Sequence, residues 1–228
     1  MRYTYLLIFL CCLSCNNERI LELPELENAE ITEVSDVSPA YIFYDETQPD
    51  STLLNRKNLI ITTNWLVNVD KRLTLKQAIP HIQFLQNKKR NAEMHKNEDA
   101  KNYFTCNDTS IGNLGFIDFT DVNYITEIDS YTNDETLNYK VRTVYIHFFS
   151  SGYFDVSEFF DGKQTTVETM ATDIYFNNDY FNSLRKEQNI INLSFDKGLS
   201  FQAYINLKHT VVNFTNEMSE INNEEFIY

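Results

Sequence analysis

The order of apolar and polar residues predicts strands throughout the first half of the chain. In the run 58–69, Trp65, Val67 and Val69 stand at every second position. That period of two is typical of a strand with one buried face. Three strands are predicted in this half, at residues 41–44, 58–69 and 114–119.

One amphipathic helix is predicted between these strands. Thr74 and Gln77 have the spacing of a capping box, which marks a helix N-terminus. Pro80 indicates that the regular helix begins nearer to it or kinks there, because proline lacks the N–H that a helix interior needs. The apolar stripe of this helix consists of Ile79, Ile82 and Leu85.

The second half of the chain shows similar patterns. Strands are predicted at residues 141–149, 153–159, 190–195 and 226–228. Thr165 and Glu168 again have capping-box spacing, so a helix is predicted over 165–176. A second helix is predicted from about Ser200. The order of elements is therefore β-β-α-β-α-β, which predicts an α+β fold with helices on one face of a sheet.

Composition divides the chain into four segments. An acidic stretch at 126–138 is expected to separate two small domains, each a β-sheet with helices. The predicted segments are a signal peptide at 1–14, a polar linker at 15–38, an N-terminal α+β domain at 39–128 and a C-terminal α+β domain at 137–228.

The N-terminal residues have the features of an export signal. Arg2 precedes an apolar run at 5–13, which is too short to span a bilayer. Leu13, Ser14 and Cys15 resemble the lipobox of bacterial lipoproteins, although Cys12 stands where leucine is usual. The resemblance implies lipidation at Cys15. Asn16 is not the aspartate that marks inner-membrane retention of such lipoproteins, which favours the outer membrane, on its periplasmic or surface face. The alternative is an ordinary signal peptide.

Net charge and cysteine content exclude two classes of protein. The chain carries a formal charge of −14, which should repel nucleic acid. With Cys15 lipidated, Cys106 is the single cysteine left after the signal peptide, so no disulfide framework is expected. Cys106 is interpreted as a small buried hydrophobic residue.

Candidate catalytic and metal-binding residues are few. Asp70 and Asp196 could form an acid–base pair, but each is better explained as the end of a strand beside a lysine. The histidines lack zinc-site spacing, and five glycines leave little room for a phosphate-binding loop. We therefore expect no catalytic residue, no cofactor and no metal. The four histidines are His81, His95, His147 and His209.

Two further features allow a binding role or a structural one. The basic run 88–90 could bind a phosphate or a glycan polymer, but it is expected to face water at a helix C-terminus. Trp65 could stack on a sugar, but its place in a strand favours packing.

An internal repeat links the two halves. Residues 67–75 align without gaps with residues 193–201. Both read apolar, polar, apolar, Asp-Lys, any residue, Leu, hydroxyl, apolar. The repeat indicates a strand, a charged turn and a capped helix, and it is either a duplication or two similar strand–helix junctions.

The second copy of this motif resembles a known family. A strand ending in Asp196-Lys197, a capped helix and a terminal strand are similar to the periplasmic domain of the ExbD/TolR proteins. The resemblance implies an envelope module that contacts a protein partner or peptidoglycan and can form a homodimer. Those proteins also carry an N-terminal membrane helix with a proton-carrying aspartate, which is missing here, so a motor subunit is not implied.

The sequence therefore favours a non-enzymatic lipoprotein of the cell envelope. The expected role is a periplasmic binding or scaffold module, with a link to ExbD/TolR-type transport energisation. The alternative is a surface-exposed glycan-binding lipoprotein, and a hydrolase ranks third. Partner binding predicts an open sheet edge or apolar patch, whereas glycan binding predicts tyrosines lining a groove.

Overall fold

The computed structural model describes residues 19–94, 97–126, 141–171, 188–214 and 219–228. The predicted signal peptide and Cys15 lie outside the described residues. So do His95 and most of the acidic stretch that was expected to separate two domains.

The first sheet is mixed and has six strands. They are β1 (Glu25–Leu26), β2 (Val37–Tyr44), β3 (Thr52–Asn55), β4 (Asn64–Val69), β5 (Asn102–Asp108) and β6 (Asn113–Asp118). The order is β1-β5-β4-β2-β3, and β6 pairs with β5. Strands β2, β4 and β5 are parallel, whereas β3 and β6 run antiparallel to their neighbours. Helix α1 (Leu75–Arg90) connects β4 to β5.

The second sheet is also mixed and six-stranded. Its strands are β7 (Asn123–Ile125), β8 (Arg142–Phe148), β9 (Tyr153–Phe160), β10 (Lys163–Ala171), β11 (Asn189–Phe195) and β12 (Ser219–Ile227). Their order is β10-β9-β8-β11-β12-β7. Helix α2 (Phe201–Phe214) connects β11 to β12. Two mixed sheets and two helices agree with the predicted α+β class.

The two sheets contain the same four-strand unit. Unit 1 consists of β2, β3, β4, α1 and β5, and unit 2 consists of β8, β9, β11, α2 and β12. The strand order β3-β2-β4-β5 in unit 1 corresponds to β9-β8-β11-β12 in unit 2, with the same strand directions. The aligned sequence segments lie at equivalent strand-to-helix junctions. The topology therefore favours a duplication over a chance likeness.

The two junctions pair with each other. Thr74 and Ser200 form an antiparallel bridge. The Leu75 N–H donates to the Leu199 carbonyl at 2.9 Å, and the Phe201 N–H donates to the Leu73 carbonyl at 2.6 Å. A pseudo-two-fold rotation that places one unit on the other also places each of these two hydrogen bonds on the other. The two units therefore contact each other through the repeated motif.

One hydrophobic core serves both units. The buried apolar side chains of the two sheets and two helices form a single contiguous cluster. Phe104 of β5 lies 5.2 Å from Phe201 of α2, measured between ring centroids. Strand β7, which falls in the predicted N-terminal domain, pairs with β12 of the second sheet. The predicted division at 39–128 and 137–228 thus cuts through the second sheet as well as through the core.

The predicted linker at 15–38 is wrong for its described part, residues 19–38. Strand β1 pairs with β5, and Ile31 bridges to Phe116. Leu26 is buried, and Asp108 accepts hydrogen bonds from the Asn28 and Ala29 N–H groups. The polar groups of this segment form hydrogen bonds with the sheet and with α2, so a polar stretch is held in the fold. We call residues 22–31 the strap.

The helix predicted over 165–176 is also wrong for its described part, since residues 163–171 form β10. Asp161 and Gly162 both have positive φ, 50° and 73°, and they form the tight hairpin turn that joins β9 to β10. Antiparallel pairing with β9 outweighs the capping-box pattern. Residues 172–176 lie outside the described residues. The described order of unit 2 has one helix, so it departs from β-β-α-β-α-β.

Other predicted elements are confirmed, although the strand predicted at 58–69 begins only at Asn64. Trp65, Val67 and Val69 are all buried on one face of β4. Helix α1 begins at Leu75, where the Gln77 side chain accepts the Thr74 N–H at 2.9 Å. Pro80 lies inside α1 rather than at its start. At the sixth residue of a helix, proline removes one backbone hydrogen bond.

Candidate functional site

Strand β3 is an edge strand of the first sheet. The Asp45 N–H donates to the Ser51 carbonyl at 2.9 Å, which sets the alternation of bonded and non-bonded pairs in the β2–β3 hairpin. Under that alternation, Leu54 stands in a non-bonded pair with Ile42. The N–H and carbonyl of Leu54 therefore point away from β2, towards the open edge.

A groove of about 700 Å³ lies between β3 and α1. The Nε2 atom of His81 lies 3.0 Å from the Thr52 hydroxyl, and Gln77 Nε2 donates to the Asp50 carbonyl at 2.8 Å. Burial lowers the pKa of His81, so its imidazole is neutral at pH 7. We call this the β3–α1 groove; its lining residues are Pro49, Asp50, Ser51, Thr52, Thr74, Lys76, Gln77, Pro80 and His81.

The turn that enters β3 is strained. Asp50 and Ser51 both have positive φ, 54° and 53°. Two consecutive non-glycine residues in the left-handed region are uncommon, and such strain persists only where surrounding contacts hold it. The hydrogen bond from Gln77 to the Asp50 carbonyl is one such contact, so α1 fixes the start of the edge strand.

One helical turn beyond Pro80 and His81, which line the groove, an exposed aromatic ring of α1 contacts a cation. Phe84 of α1 is 44% exposed, and the Arg56 guanidinium carbon lies 4.6 Å from its ring centroid. Arg56, Lys57 and Lys76 are all exposed. Arg56 and Lys57 thus place positive charge at the C-terminal end of β3, on a chain whose formal charge is −14, whereas the exposed Asp50 lies at the N-terminal end.

A second groove, of about 770 Å³, lies between the strap and α2. Gln202 pairs with the backbone of Glu25 through two hydrogen bonds of 2.8 Å. The His209 Nε2 atom lies 2.8 Å from the Glu27 carbonyl oxygen. The polar stripe on α2 therefore holds the strap in place. Glycan binding predicts tyrosines lining a groove. Neither of these two grooves has a tyrosine among its described lining residues.

Asp70 and Asp196 have structural roles at the ends of their strands. Asp70 is fully buried and accepts hydrogen bonds from Arg72 Nε and Nη2 at 2.8 and 2.7 Å. Burial raises the pKa of Asp70, but the bonds from Arg72 and the backbone outweigh it, so the pKa lies below its usual value. Asp196 accepts from the Ser150 hydroxyl and the Gly198 N–H, which lower its pKa.

The expectation that the basic run 88–90 faces water is wrong for Lys89. Its ammonium donates to the carbonyls of Thr63 and Lys101 at 3.2 and 2.8 Å, and to Asn102 Oδ1 at 3.1 Å. Burial lowers the pKa of Lys89 to about 8. Lys89 thus ties the end of α1 to the loops before β4 and β5.

Trp65 and Cys106 are packed in the core, as expected. Trp65 is fully buried and donates its indole N–H to the Ile60 carbonyl at 2.7 Å, so it cannot stack on a bound sugar. Cys106 is also fully buried, and burial raises the pKa of its thiol to about 12. A thiol with that pKa is inert at neutral pH.

A row of polar residues crosses the second sheet, which the sequence patterns did not reveal. Strand register places Ser194, His147 and Asp155 side by side on β11, β8 and β9. The His147 Nδ1 atom lies 2.8 Å from the Ser194 hydroxyl, which also lies within hydrogen-bonding distance of the Ile146 carbonyl. The Oδ1 atom of Asp155 has no hydrogen-bond partner in the described part of the chain. Because Asp155 does not orient the imidazole by a hydrogen bond, the row lacks the coupling of a catalytic triad.

Within the described residues, no cluster of three or more His, Cys, Asp or Glu side chains could hold a metal ion. Neither of the helices α1 and α2 described here is long and apolar enough to cross a membrane. No family model, no curated protein and no solved structure matches this chain.

Proposed function

We propose that this protein is a non-enzymatic lipoprotein of the cell envelope that serves as a binding or scaffold module. A lipid at Cys15 anchors it to the outer membrane, and a partner protein of the envelope binds at the β3–α1 groove. The observation that carries the proposal is the edge of β3 beside this groove, on which no strand pairs within the described residues. An unpaired strand edge is a common site of protein association.

The strap supports an anchoring role because it joins the N-terminal region to both units. Its Glu25 pairs with Lys71 of unit 1 at 2.8 Å and with Gln202 of unit 2 through its backbone. Three residues separate Cys15 from Arg19, where the described fold begins, and the four chain steps between the two span at most about 14 Å. A lipid at Cys15 would therefore hold both units close to the membrane surface.

The partner class to test first is the one that the ExbD/TolR resemblance implies, namely components of envelope energy-transducing complexes. Peptidoglycan is the second ligand to test. The acidic surface of the chain argues against nucleic acid as a ligand.

Crosslinking and pull-down from native membranes tests the proposal. The tagged, lipidated protein is compared with a Cys15→Ala variant, which cannot be lipidated. We expect a defined envelope protein to be recovered with the anchored form and to be depleted with the variant. Recovery of glycan fragments, or of bulk outer-membrane proteins alone, would contradict the partner-binding role.

A groove variant in the same experiment tests the site. Phe84→Ala removes the exposed aromatic ring one helical turn beyond the groove, and Leu114→Ala is the matched control because Leu114 is a similarly exposed apolar residue on β6. We expect Phe84→Ala to reduce partner recovery at least threefold and Leu114→Ala to leave it unchanged. Equal recovery in both variants would remove the β3–α1 groove as the binding site.

A further inference from the structure

We infer that the edge of β3 binds an extended segment of a partner protein, which adds as a strand antiparallel to β3 and carries acidic residues at its N-terminal end. This inference rests on the proposed partner-binding function and goes beyond it by naming the conformation, direction and charge of the occupant. It comes from comparing the two units of the duplication.

Leu54 of unit 1 and Phe154 of unit 2 occupy equivalent positions. The Asp70 N–H donates to the Ile42 carbonyl, and the Asp196 N–H donates to the Phe148 carbonyl, so Ile42 corresponds to Phe148. Ile42 pairs with Leu54, and Phe148 pairs with Phe154.

The backbone of both residues points away from the hairpin partner. The Phe149 N–H donates to the Tyr153 carbonyl at 2.9 Å, which makes the neighbouring pair of Phe148 and Phe154 a non-bonded one, as for Ile42 and Leu54. In each unit, the N–H and carbonyl of the second residue are therefore directed to the outer edge of the hairpin.

Among the strands that the structure describes, that outer edge is occupied in unit 2 and open in unit 1. Phe154 lies opposite Met170 of β10, which adds antiparallel to β9. In the described part of the chain, no strand lies opposite Leu54. Unit 2 thus shows within the same protein how an added strand completes the sheet at this position.

Charge and groove shape define the occupant further. Thr52 and Leu54 face the same side as the core residue Ile42, so alternate side chains of an added strand point towards α1. In an antiparallel addition, the N-terminus of the segment lies beside the end of β3, where Arg56 and Lys57 follow. Acidic residues are therefore favoured at the N-terminal end of the segment.

A second copy of this chain is disfavoured as the occupant. Strand β3 contains four residues. Pairing of two such strands buries much less surface than the roughly 1,000 Å² that a stable dimer interface needs.

A synthetic peptide tests the inference. The probe is the acetylated, amidated hexapeptide Glu-Glu-Val-Thr-Val-Thr, and the control is the same composition in reverse order. Both are titrated into the mature chain carrying Cys15→Ala, so that no lipid is present, and binding is followed by ¹⁵N NMR and amide hydrogen exchange. We expect saturable binding, with a shifted and protected Leu54 amide, and at least fivefold weaker binding of the reversed peptide.

Two sets of variants locate the contact. Leu54→Pro removes the outward N–H and should abolish binding, whereas Leu54→Val keeps it and should bind like the parent chain. Arg56→Glu combined with Lys57→Glu tests the charge without altering β3, and it should weaken binding at least fivefold. This double variant keeps the inference testable if Leu54→Pro does not fold.

The outcomes separate this inference from the proposed function. Binding that leaves the Leu54 amide unchanged, or equal binding of both peptides, overturns the inference. So does a dimer in sedimentation that Leu54→Pro dissociates, because the occupant would then be a second copy. If the membrane pull-down fails while the peptide binds as expected, the envelope role is wrong and the edge site stands.

Discussion

Asp70 and Asp196 occupy the same position in the two units, yet only Asp70 is fully buried and paired with an arginine. Both aspartates accept a hydrogen bond at Oδ1 from the N–H two residues later, at Arg72 and Gly198. The repeated Asp-Lys motif therefore encodes a turn between strand and helix. Its conserved geometry within this chain has a structural explanation that requires no acid–base chemistry.

Asp70→Asn should destabilise the protein more than Asp196→Asn. Asp70 loses a bidentate ion pair with Arg72 at a buried position, which corresponds to about 2–4 kcal/mol. Asp196 loses exposed hydrogen bonds from Ser150, which corresponds to about 1 kcal/mol. Urea denaturation at pH 7 measures both free energies of unfolding. Equal losses would contradict the assigned difference between the two turns.

The difference between the parent chain and Asp70→Asn should disappear in acid. The folded-state pKa of Asp70 is lowered, so its contribution is present above the unfolded-state pKa of about 3.9. It is lost as the pH falls through the lower folded-state value. Unfolding of both proteins between pH 7 and pH 2 checks this, and a difference that persists at pH 2 would contradict it.

Periodicity alone predicts those elements in which burial of one face sets the order of apolar and polar residues. Trp65, Val67 and Val69 reveal β4 because one face of that strand is buried. By contrast, residues 165–171 satisfy both a capping box and a helical apolar spacing. Their conformation is decided by pairing with β9 across the Asp161–Gly162 turn, and a pattern within one segment does not contain that information.

The candidate site depends on even longer-range relationships. An edge strand is defined by the neighbour that it lacks, and β3 is an edge only because of the strand order of the whole sheet. Lys89 appears solvated in the sequence because it lies between two other cations. Its burial depends on carbonyls from Thr63 and Lys101, which belong to separate loops.

The stability of the protein should rise between about pH 8 and pH 9.5 because of Lys89. Burial lowers the folded-state pKa of Lys89 to about 8, below the unfolded value of about 10.4. In that interval the unfolded state binds more protons, so the free energy of unfolding increases with pH. The rise should be roughly 1–2 kcal/mol. Above about pH 10 the buried tyrosines oppose it, since burial raises the pKa of Tyr124 and of Tyr204.

Lys89→Met is the matched variant for this measurement, since it keeps the length of the side chain and removes the titrating group. Urea unfolding at pH 8 and pH 9.5 should show the rise in the parent chain and not in the variant. The variant should also be less stable at pH 7 by about 1–3 kcal/mol, because two buried acceptors and one partly buried acceptor lose their donor. An identical pH dependence in both proteins would show that Lys89 does not titrate as assigned.

Tyr204→Phe should destabilise the protein more than Tyr124→Phe. The Tyr204 hydroxyl lies 3.0 Å from the Tyr124 hydroxyl and donates to Glu225 at 2.7 Å, in a fully buried network that also contains the Lys208–Glu225 ion pair. Removing the Tyr204 hydroxyl leaves the Tyr124 hydroxyl and the Glu225 carboxylate each with one hydrogen bond fewer. The free energy of unfolding should fall by about 2–3 kcal/mol for Tyr204→Phe and by about 1 kcal/mol for Tyr124→Phe.

A double-mutant cycle isolates the contact between the two tyrosines. The two hydroxyls contact each other, so the combined variant should cost less than the sum of the single ones by about 0.5–1.5 kcal/mol. Thermal or urea unfolding of the four proteins gives the coupling energy. Strict additivity would indicate that water, rather than Tyr124, satisfies the Tyr204 hydroxyl.

Gly115→Ala should loosen the strap. A Cβ atom at Gly115 would lie 2.5 Å from the Cβ of Ala29 and 3.4 Å from Leu26 Cδ1, so the strap has to move away from β6. Such overpacking typically costs about 1–3 kcal/mol. The Ala29 N–H, which donates to Asp108 Oδ2 at 2.8 Å, should lose its protection from hydrogen exchange.

Two variants show whether steric contact is the cause. At Gly112 a Cβ atom would meet nothing within 4 Å, although its φ of 61° makes substitution strained. Gly112→Ala should therefore lower stability without changing exchange at Ala29. Ala29→Gly combined with Gly115→Ala relieves the closest contact and should restore most of the protection of the Asn28 and residue 29 amides. If the combined variant exchanges as fast as Gly115→Ala alone, the strap is not held by close packing on β6, and its attachment depends on Asp108 and α2.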